Sequence, residues 1–313
     1  MAKEKRMESD QRIQEAVKTA YLRGKEVTGK GAVATYIPEL GKARPEAVGL
    51  CIHTKDGKVF KAGDSGIRFT MQSVSKLLSL AMALEIRGYD TVFEHVGMEP
   101  SGVAFNSIVE LDTRDKPHNP LINAGAITVE SLLIEYKQFE DMLNFARTVC
   151  LDPEITLNRQ VYNSEMATCD RNRAIAYLLK SKNVIHTNVD TSIELYTKIC
   201  SINVSAESLA NFALVLANNG VNPHTGERLL KASTAQTVKA IMFTCGMYDG
   251  SGTFAVEVGI PTKSGVGGGL LSVVDGKMGI GVYGPSLDEN GNSIAGITAL
   301  KFLSKELGLH MFA

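Results

Sequence analysis

Two Asp-Gly dipeptides near opposite ends of this 313-residue chain, each between short apolar runs, constrain its fold more than any other feature. Ala47 to Thr54 precedes Asp56-Gly57, and Val59-Phe60 follows it. Leu270 to Val274 precedes Asp275-Gly276, and Met278 to Tyr283 follows. Asp-Gly in that setting signals a hairpin, because both central residues of a type I′ turn need positive φ. Thr253 to Val258 reads as a further strand ahead of the second hairpin.

Between these ends the pattern is helical. Asp10 to Glu26 carries Ile13, Val17 and Tyr21 on one face and ends before Gly29. Ser75–Ile86, Thr128–Val149, Arg171–Leu179, Thr191–Ile199, Ala206–Asn218 and Ala235–Phe243 also suit helices. A last helix is expected from an N-cap at Ser293 to Leu307, stopped by Gly308. Strands at both termini with helices between them predict an α+β fold. Its sheet is built from both chain ends and flanked by helices, with an all-helical lobe inserted. The expected division is an N-terminal helical segment 1–30, a sheet unit from 31–75 and 235–313, and a helical unit 76–234.

Composition excludes some functions. Net charge is −1, which disfavours nucleic acid, whose binding needs a basic stripe. No apolar run follows the charged N-terminus, so no secretory signal is expected. The apolar stretch around Leu77 to Leu84 falls far short of the roughly 18 residues of a membrane span. Five scattered cysteines (51, 150, 169, 200 and 245) suggest reduced, buried thiols and a cytoplasmic protein. Six histidines without metal-ligand spacing predict no metal site.

Two motifs are decoys. Gly63-Asp64-Ser65-Gly66 copies the nucleophile segment of chymotrypsin-like proteases, but a turn after a hairpin strand explains it equally well. Gly265-Val266-Gly267-Gly268-Gly269 leads into a strand and so lacks the context of a dinucleotide fingerprint.

Ser73-Val74-Ser75-Lys76 is more informative: a Ser-x-x-Lys at the predicted start of a helix. Residues three apart share a helical face, separated by roughly 4.5 Å of rise. A lysine amine can then help to deprotonate the serine, and the helix N-terminus favours the alkoxide. Alone, the motif is better read as an N-cap serine and a solvated lysine, since about one match is expected by chance in such a chain. In β-lactamases and penicillin-binding proteins it is paired with a later Lys-Thr-Gly. Here Lys263-Ser264-Gly265 is a close variant, between the expected strand 253–258 and the second hairpin. That strand edge is expected to flank the helix and aim backbone N–H groups at a reacting carbonyl, as an oxyanion hole requires. Tyr248, just upstream, belongs either to a turn or to a proton shuttle with Ser73 and Lys76.

At this point the chain resembles the serine-dependent glutaminases, from about Gly31 to the C-terminus. The resemblance is carried by Tyr36-Ile37-Pro38-Glu39-Leu40, Gln72-Ser73-Val74-Ser75-Lys76 and the long string from Pro117 to Ile127. Asn163-Ser164-Glu165, Asn172-Arg173-Ala174, Tyr196, Asn222-Pro223-His224-Thr225-Gly226, Met247-Tyr248 and Lys263 to Gly269 extend it. It implies the β-lactamase/DD-peptidase-like fold, L-glutamine as substrate, no cofactor and a homodimer or homotetramer. It also implies Ser73 as nucleophile, Lys76 as its activating partner and Tyr248 in proton transfer. The N–H groups of Ser73 and Val266 become the oxyanion hole. Tyr36, Asn123, Glu165, Asn172 and Tyr196 hold the amino-acid end.

These residue types suit the ligand: a carboxylate for the ammonium, neutral donors for the carboxylate and amide. Two rivals remain at this stage. One is a β-lactamase or transpeptidase relative, against which stands the missing Ser-Asp-Asn. The other is a non-catalytic glutamine-binding protein with the same pocket, against which stands the intact set of Ser73, Lys76 and Tyr248.

Overall fold

A computed structural model describes residues 2–102, 105–108 and 115–313, with side chains from Ser9 onward. The fold is α+β, and its main sheet does join the two chain ends. Five antiparallel strands run in the order β2-β1-β8-β7-β6. They are β1 (Gly49–Thr54), β2 (Val59–Gly63), β6 (Thr262–Ser264), β7 (Gly269–Val274) and β8 (Met278–Tyr283). Every residue of β1, β7 and β8 is buried, because helices cover both faces of the sheet.

Alternation of side chains across the pleat divides the core in two. Leu50, Ile52, Leu270, Ile280 and Val282 face Val17 and Ala20 of α1 (Ala2–Val27) and Leu300 and Leu303 of α12 (Ile294–Leu307). Cys51, Leu271 and Val273 face Leu209, Ala210 and Ala213 of α9 (Ala206–Ala217). The segment 1–30, open in the sequence reading, thus supplies a helix to one side of the sheet. α9 lies within 76–234 yet covers the sheet's other side.

Both hairpins form, with a different turn. Gly57 and Gly276 have φ of 84° and 68°, but neither Asp56 nor Asp275 is left-handed. A type I′ turn is therefore absent, and the loops are longer. Thr54 donates through Oγ1 to Asp56 at 2.6 Å and accepts from Lys58 N at 3.1 Å, which stabilises the wider loop. One left-handed glycine is then enough.

The expected strand at 253–258 is a helix, α11 (Ser251–Glu257). Its β-branched residues resemble a strand, but Ser251, Phe254 and Val258 are the buried positions, at helical spacing. The strand edge beside the Ser73 segment is instead β6, formed by Lys263-Ser264 itself with Thr262. The single helix expected over 128–149 is two, α4 (Asn123–Ser131) and α5 (Phe139–Val149). A capping box between Gln138 and Asp141 starts the second.

The other expected helices stand at α2 (Lys76–Arg87), α7 (Asp170–Ser181), α8 (Val189–Cys200) and α10 (Ala232–Cys245). In the last helix Ser293 accepts from Gly296 N at 3.0 Å, and Gly308 closes it at φ 62°. Helices α3 (Tyr89–His95) and α6 (Arg159–Met166) were not foreseen. Nor was a small sheet β3-β5-β4, of β3 (Phe69–Thr70), β4 (Thr156–Leu157) and β5 (Ile202–Val204). All five cysteines are free and buried. No helix among the described residues is long and apolar enough to cross a membrane.

Gly279 and Gly281 let α9 lie directly on β8. A Cβ on Gly281 would stand 1.9 Å from Ala206 O, and one on Gly279 2.1 Å from Ala210 O. Gly281→Ala therefore has to push α9 off the sheet. The expected loss is about 1–3 kcal/mol, the usual cost of overpacking a core, read as a lower urea midpoint at unchanged m-value.

Candidate active site

The segment after β3 places Ser73. Met71 N donates to Ile202 O at 2.8 Å, tying the chain to β5. Gln72 then takes φ 46°, a left-handed conformation that is strained for a side chain with a Cβ. A 3-10 turn over 72–75 follows and passes into α2 at Lys76. Ser73 makes no capping bond and Lys76 is 1% exposed, so the N-cap-and-solvated-lysine reading fails.

Residues 265–267 run against this turn. A Cβ on Gly265 would lie 2.7 Å from Met71 O and 3.3 Å from Ser73 N; one on Gly267 would lie 2.4 Å from Thr70 O. Only glycine permits that approach. Neighbouring N–H groups are used, with Val74 donating to Met71 O and Gly265 to Gly269 O. Those of Ser73 and Val266 make no hydrogen bond among the described residues.

Tyr248 arrives from the end of α10. Gly246 passes so near β6 that a Cβ would lie 1.8 Å from Thr262 O. Ser264 N donates to Gly246 O at 3.0 Å. Tyr248 itself has φ 53°, held by Ser251 Oγ donating to its carbonyl at 2.7 Å. Its hydroxyl donates to Ser264 O at 3.2 Å and also meets the Ser73 hydroxyl. Burial raises the phenol, and the bond to Ser73 opposes that rise. Phe105 packs on the tyrosine ring at 4.7 Å between centroids.

Lys76 donates to Leu121 O at 3.0 Å and to Asn123 Oδ1 at 2.7 Å, not to Ser73. Asn123 in turn donates through Nδ2 to Asn172 Oδ1 at 2.9 Å. Burial pulls the amine down to about 8, while Cys200, Glu130 and Glu165 push it back up. Lys263 is wholly buried, with its ammonium 4.4 Å from the Tyr248 ring centroid. Burial first, and then the charge of Lys76, hold Lys263 well below the usual lysine range.

Beside Ser73 opens a cavity of about 260 Å³. Tyr36, Asn123, Glu165, Asn172, Tyr196 and Val266 line it with Ser73, so every residue expected at the amino-acid end reaches one space. Tyr36 is 57% exposed at the rim, whereas Tyr196 is buried. Glu165 is buried on α6 and accepts from Gln72 Nε2 at 3.4 Å. Desolvation raises its carboxyl to about 7, opposed by Gln72 and Lys76.

Gln72, Phe105, Thr168, Cys169 and Arg171 also line the cavity and were not foreseen as site residues. Gln72 sits next to Ser73 in the motif and was open to notice; Phe105 carries no signal in sequence. A larger cavity, about 600 Å³, lies between α5, α6 and α8 and is lined by none of the expected site residues. Among the described residues no His, Cys, Asp or Glu cluster could hold a metal ion.

This combination of fold and site has close counterparts. The glutaminase family profile matches residues 31–312. Glutaminase 2 of Clostridium perfringens is 50% identical over 287 residues, spanning 90% of this chain and 94% of the relative. A glutaminase of Fusobacterium nucleatum is 48% identical, spanning 96% of this chain and 100% of its own. A solved probable glutaminase, ybaS, superposes with a TM-score of 0.93 at 38% identity, over 96% of this chain and 98% of that one. Bacillus subtilis YbgJ, described as a covalent complex with 5-oxo-L-norleucine formed from 6-diazo-5-oxo-L-norleucine, superposes at 0.87 with 35% identity, over 96% of this chain and 99% of that one. The architecture is thus the β-lactamase-like one that the sequence motifs implied, and the chain belongs to the glutaminase family.

Proposed function

We propose that this chain hydrolyses the side-chain amide of L-glutamine to L-glutamate and ammonia through an ester on Ser73. The observation that carries the reading is one cavity joining Ser73 and Val266 to Glu165, Asn123, Asn172, Tyr36 and Tyr196, with Tyr248 on the Ser73 hydroxyl. An alcohol, a proton path, unbonded peptide N–H groups and a carboxylate for an ammonium are what the reaction needs.

Ser73 Oγ attacks the side-chain carbonyl carbon as its proton passes to Lys76, directly after a swing of the amine or through the Tyr248 hydroxyl. The carbonyl electrons move to oxygen, and the N–H groups of Ser73 and Val266 receive the oxyanion. On collapse the C–N bond breaks, the nitrogen takes up the relayed proton and ammonia leaves. Water then adds to the ester, giving a proton to the same relay, and Ser73 Oγ departs reprotonated. Glu165 binds the substrate ammonium, while Asn123, Asn172, Tyr36 and Tyr196 meet the carboxylate. The covalent adduct of the Bacillus subtilis relative supports a nucleophile of this kind, and Ser73 is the residue that would carry it here.

A homodimer or homotetramer in the cytoplasm completes the reading. So does the division into segment 1–30, a sheet unit of 31–75 and 235–313, and a helical unit 76–234. The missing Ser-Asp-Asn speaks against lactam chemistry, and the wall of residues suited to a free amino acid supports glutamine instead.

Ser73→Ala should reduce ammonia release from glutamine by roughly 10⁴-fold or more, the scale seen when a nucleophile is deleted. The melting temperature should stay unchanged. Retained ammonia release would move the nucleophile elsewhere; retained glutamine binding without turnover in the unmutated protein would favour a binding protein.

Glu165 gives a second test. Its carboxyl must be ionised to bind an ammonium, and its proton leaves at about 7 in the free protein. KM for glutamine should therefore rise as pH falls through 7 and be flat above it. Glu165→Gln should weaken binding on the order of 100-fold, as for a buried charge left alone, and abolish that pH dependence. A KM that stays level from pH 6 to 8 in the unmutated enzyme would remove Glu165 from ammonium recognition.

A further inference from the structure

Two polar cross-links join α2 to α4. Lys76 donates to Asn123 at 2.7 Å, and Ser79 donates through Oγ to Glu130 Oε1 at 2.7 Å. Lys76 and Ser79 are three apart on one helix face, and Asn123 and Glu130 are two turns apart on one face of the other. Glu130 is 0% exposed, and its second oxygen, Oε2, has no hydrogen-bond partner among the described residues. A glutamine of the same shape would accept the same bond from Ser79 without a titratable proton. Packing therefore does not call for an acid here, and burying one is costly.

We propose that Glu130 is a positioning residue for glutamine hydrolysis: a buried acid, held by Ser79 one turn from Lys76 on α2, whose charge sets how readily Lys76 gives up its proton. The inference rests on Lys76 serving as the base for Ser73.

Desolvation raises Glu130 to about 8, opposed by Ser79 and by Lys76, in the range to which burial lowers Lys76. Each group favours the charged form of the other, so they titrate as a pair. Other groups facing Lys76 are Glu165 from α6, Cys200 from α8 and Lys263 from β6. Those facing Glu130 besides Lys76 are Cys200 and Tyr196, both on α8. The two cysteine and tyrosine groups are pushed up by burial and stay neutral. Glu165 and Lys263 remain in any Glu130 variant. Above neutrality, whichever proton leaves first makes the second harder to remove: a Glu130 carboxylate keeps the proton on Lys76. Activity that needs neutral Lys76 then climbs with pH in a shallow, drawn-out step.

The test is the pH dependence of kcat/KM from pH 6 to 10 in the full-length enzyme and in Glu130→Gln. Glu130→Gln should rise more steeply, as a single-proton curve, with its midpoint about one unit lower, the size of shift a nearby opposite charge produces. Superimposable profiles would overturn the proposal, since a structural role changes the amplitude and not the midpoint. Ser79→Ala is the second arm, should Glu130→Gln fold poorly. It removes a bond that favours the carboxylate, keeps Glu130 neutral to higher pH and should move the midpoint part of the way in the same direction. A shift the other way counts against the idea. Infrared difference spectra at pH 7 should contain a buried protonated-carboxyl band that Glu130→Gln lacks; no such band in the unmutated enzyme also overturns it. Failure of the underlying reading shows separately, as ammonia release that survives Lys76→Ala.

Discussion

The burial of a lysine amine beside a serine is the constraint on which the rest of the site depends. An ammonium removed from water must find acceptors or give up its proton. Lys76 finds two, Leu121 O and Asn123 Oδ1. Both lie where the chain enters α4, so the loop before that helix and its first residue are committed to satisfying one amine. Asn123 can accept from Lys76 only by turning its Nδ2 outward, and that nitrogen reaches Asn172 on α7. One buried cation thereby orients a side chain on each of two further helices. The same burial makes the amine a usable base, because a lysine in water at its ordinary pKa holds its proton too tightly.

A second constraint is backbone proximity. Ser73 and the strand-edge loop lie so close that residues 265 and 267 can carry no side chain, and two residues with a Cβ, Gln72 and Tyr248, are held left-handed nearby. Such conformations cost about 1–3 kcal/mol each and persist only where their surroundings overdetermine them. Here the surroundings are β5 behind Gln72 and the Ser251 and Asn292 bonds around Tyr248. The strain directs the Ser73 and Tyr248 hydroxyls at one another.

Much of this was legible in the chain. The paired Asp-Gly signals located two of the sheet's hairpins, because turn chemistry is local. The Ser-x-x-Lys and Lys-Ser-Gly pair pointed to one site from two distant segments, because spacing on a helix turn and glycine beside a strand each have local signatures. What escaped depends on side-chain reach and packing that the residue pattern does not display. Thr253 to Val258 looks like a strand until Phe254 and Val258 are seen on one buried helical face. The breadth of the turn at 54–58 depends on Thr54 reaching Asp56 and Lys58. Lys76 was expected to be a partner of Ser73, but its bonds to Leu121 and Asn123 have no trace in a motif four residues long. Glu130 had no motif at all; its interest comes only from what α2 and α8 bring around it.

Asn123 links recognition to chemistry. Its Oδ1 takes a proton donor from Lys76, and its side chain also lines the cavity where the amino-acid end of glutamine is proposed to lie. A carboxylate can only accept, so in the proposed complex it would draw on Asn123 Nδ2 in competition with Asn172 and leave Oδ1 to the amine. The Glu165 carboxylate favours the ammonium of Lys76, and in the proposed complex a substrate ammonium would offset that charge. The ammonium held by Glu165 would then ease the proton off Lys76, while Asn123 Oδ1 stays on the amine. That coupling needs no moving domain, only one buried amine and the two side chains that face it.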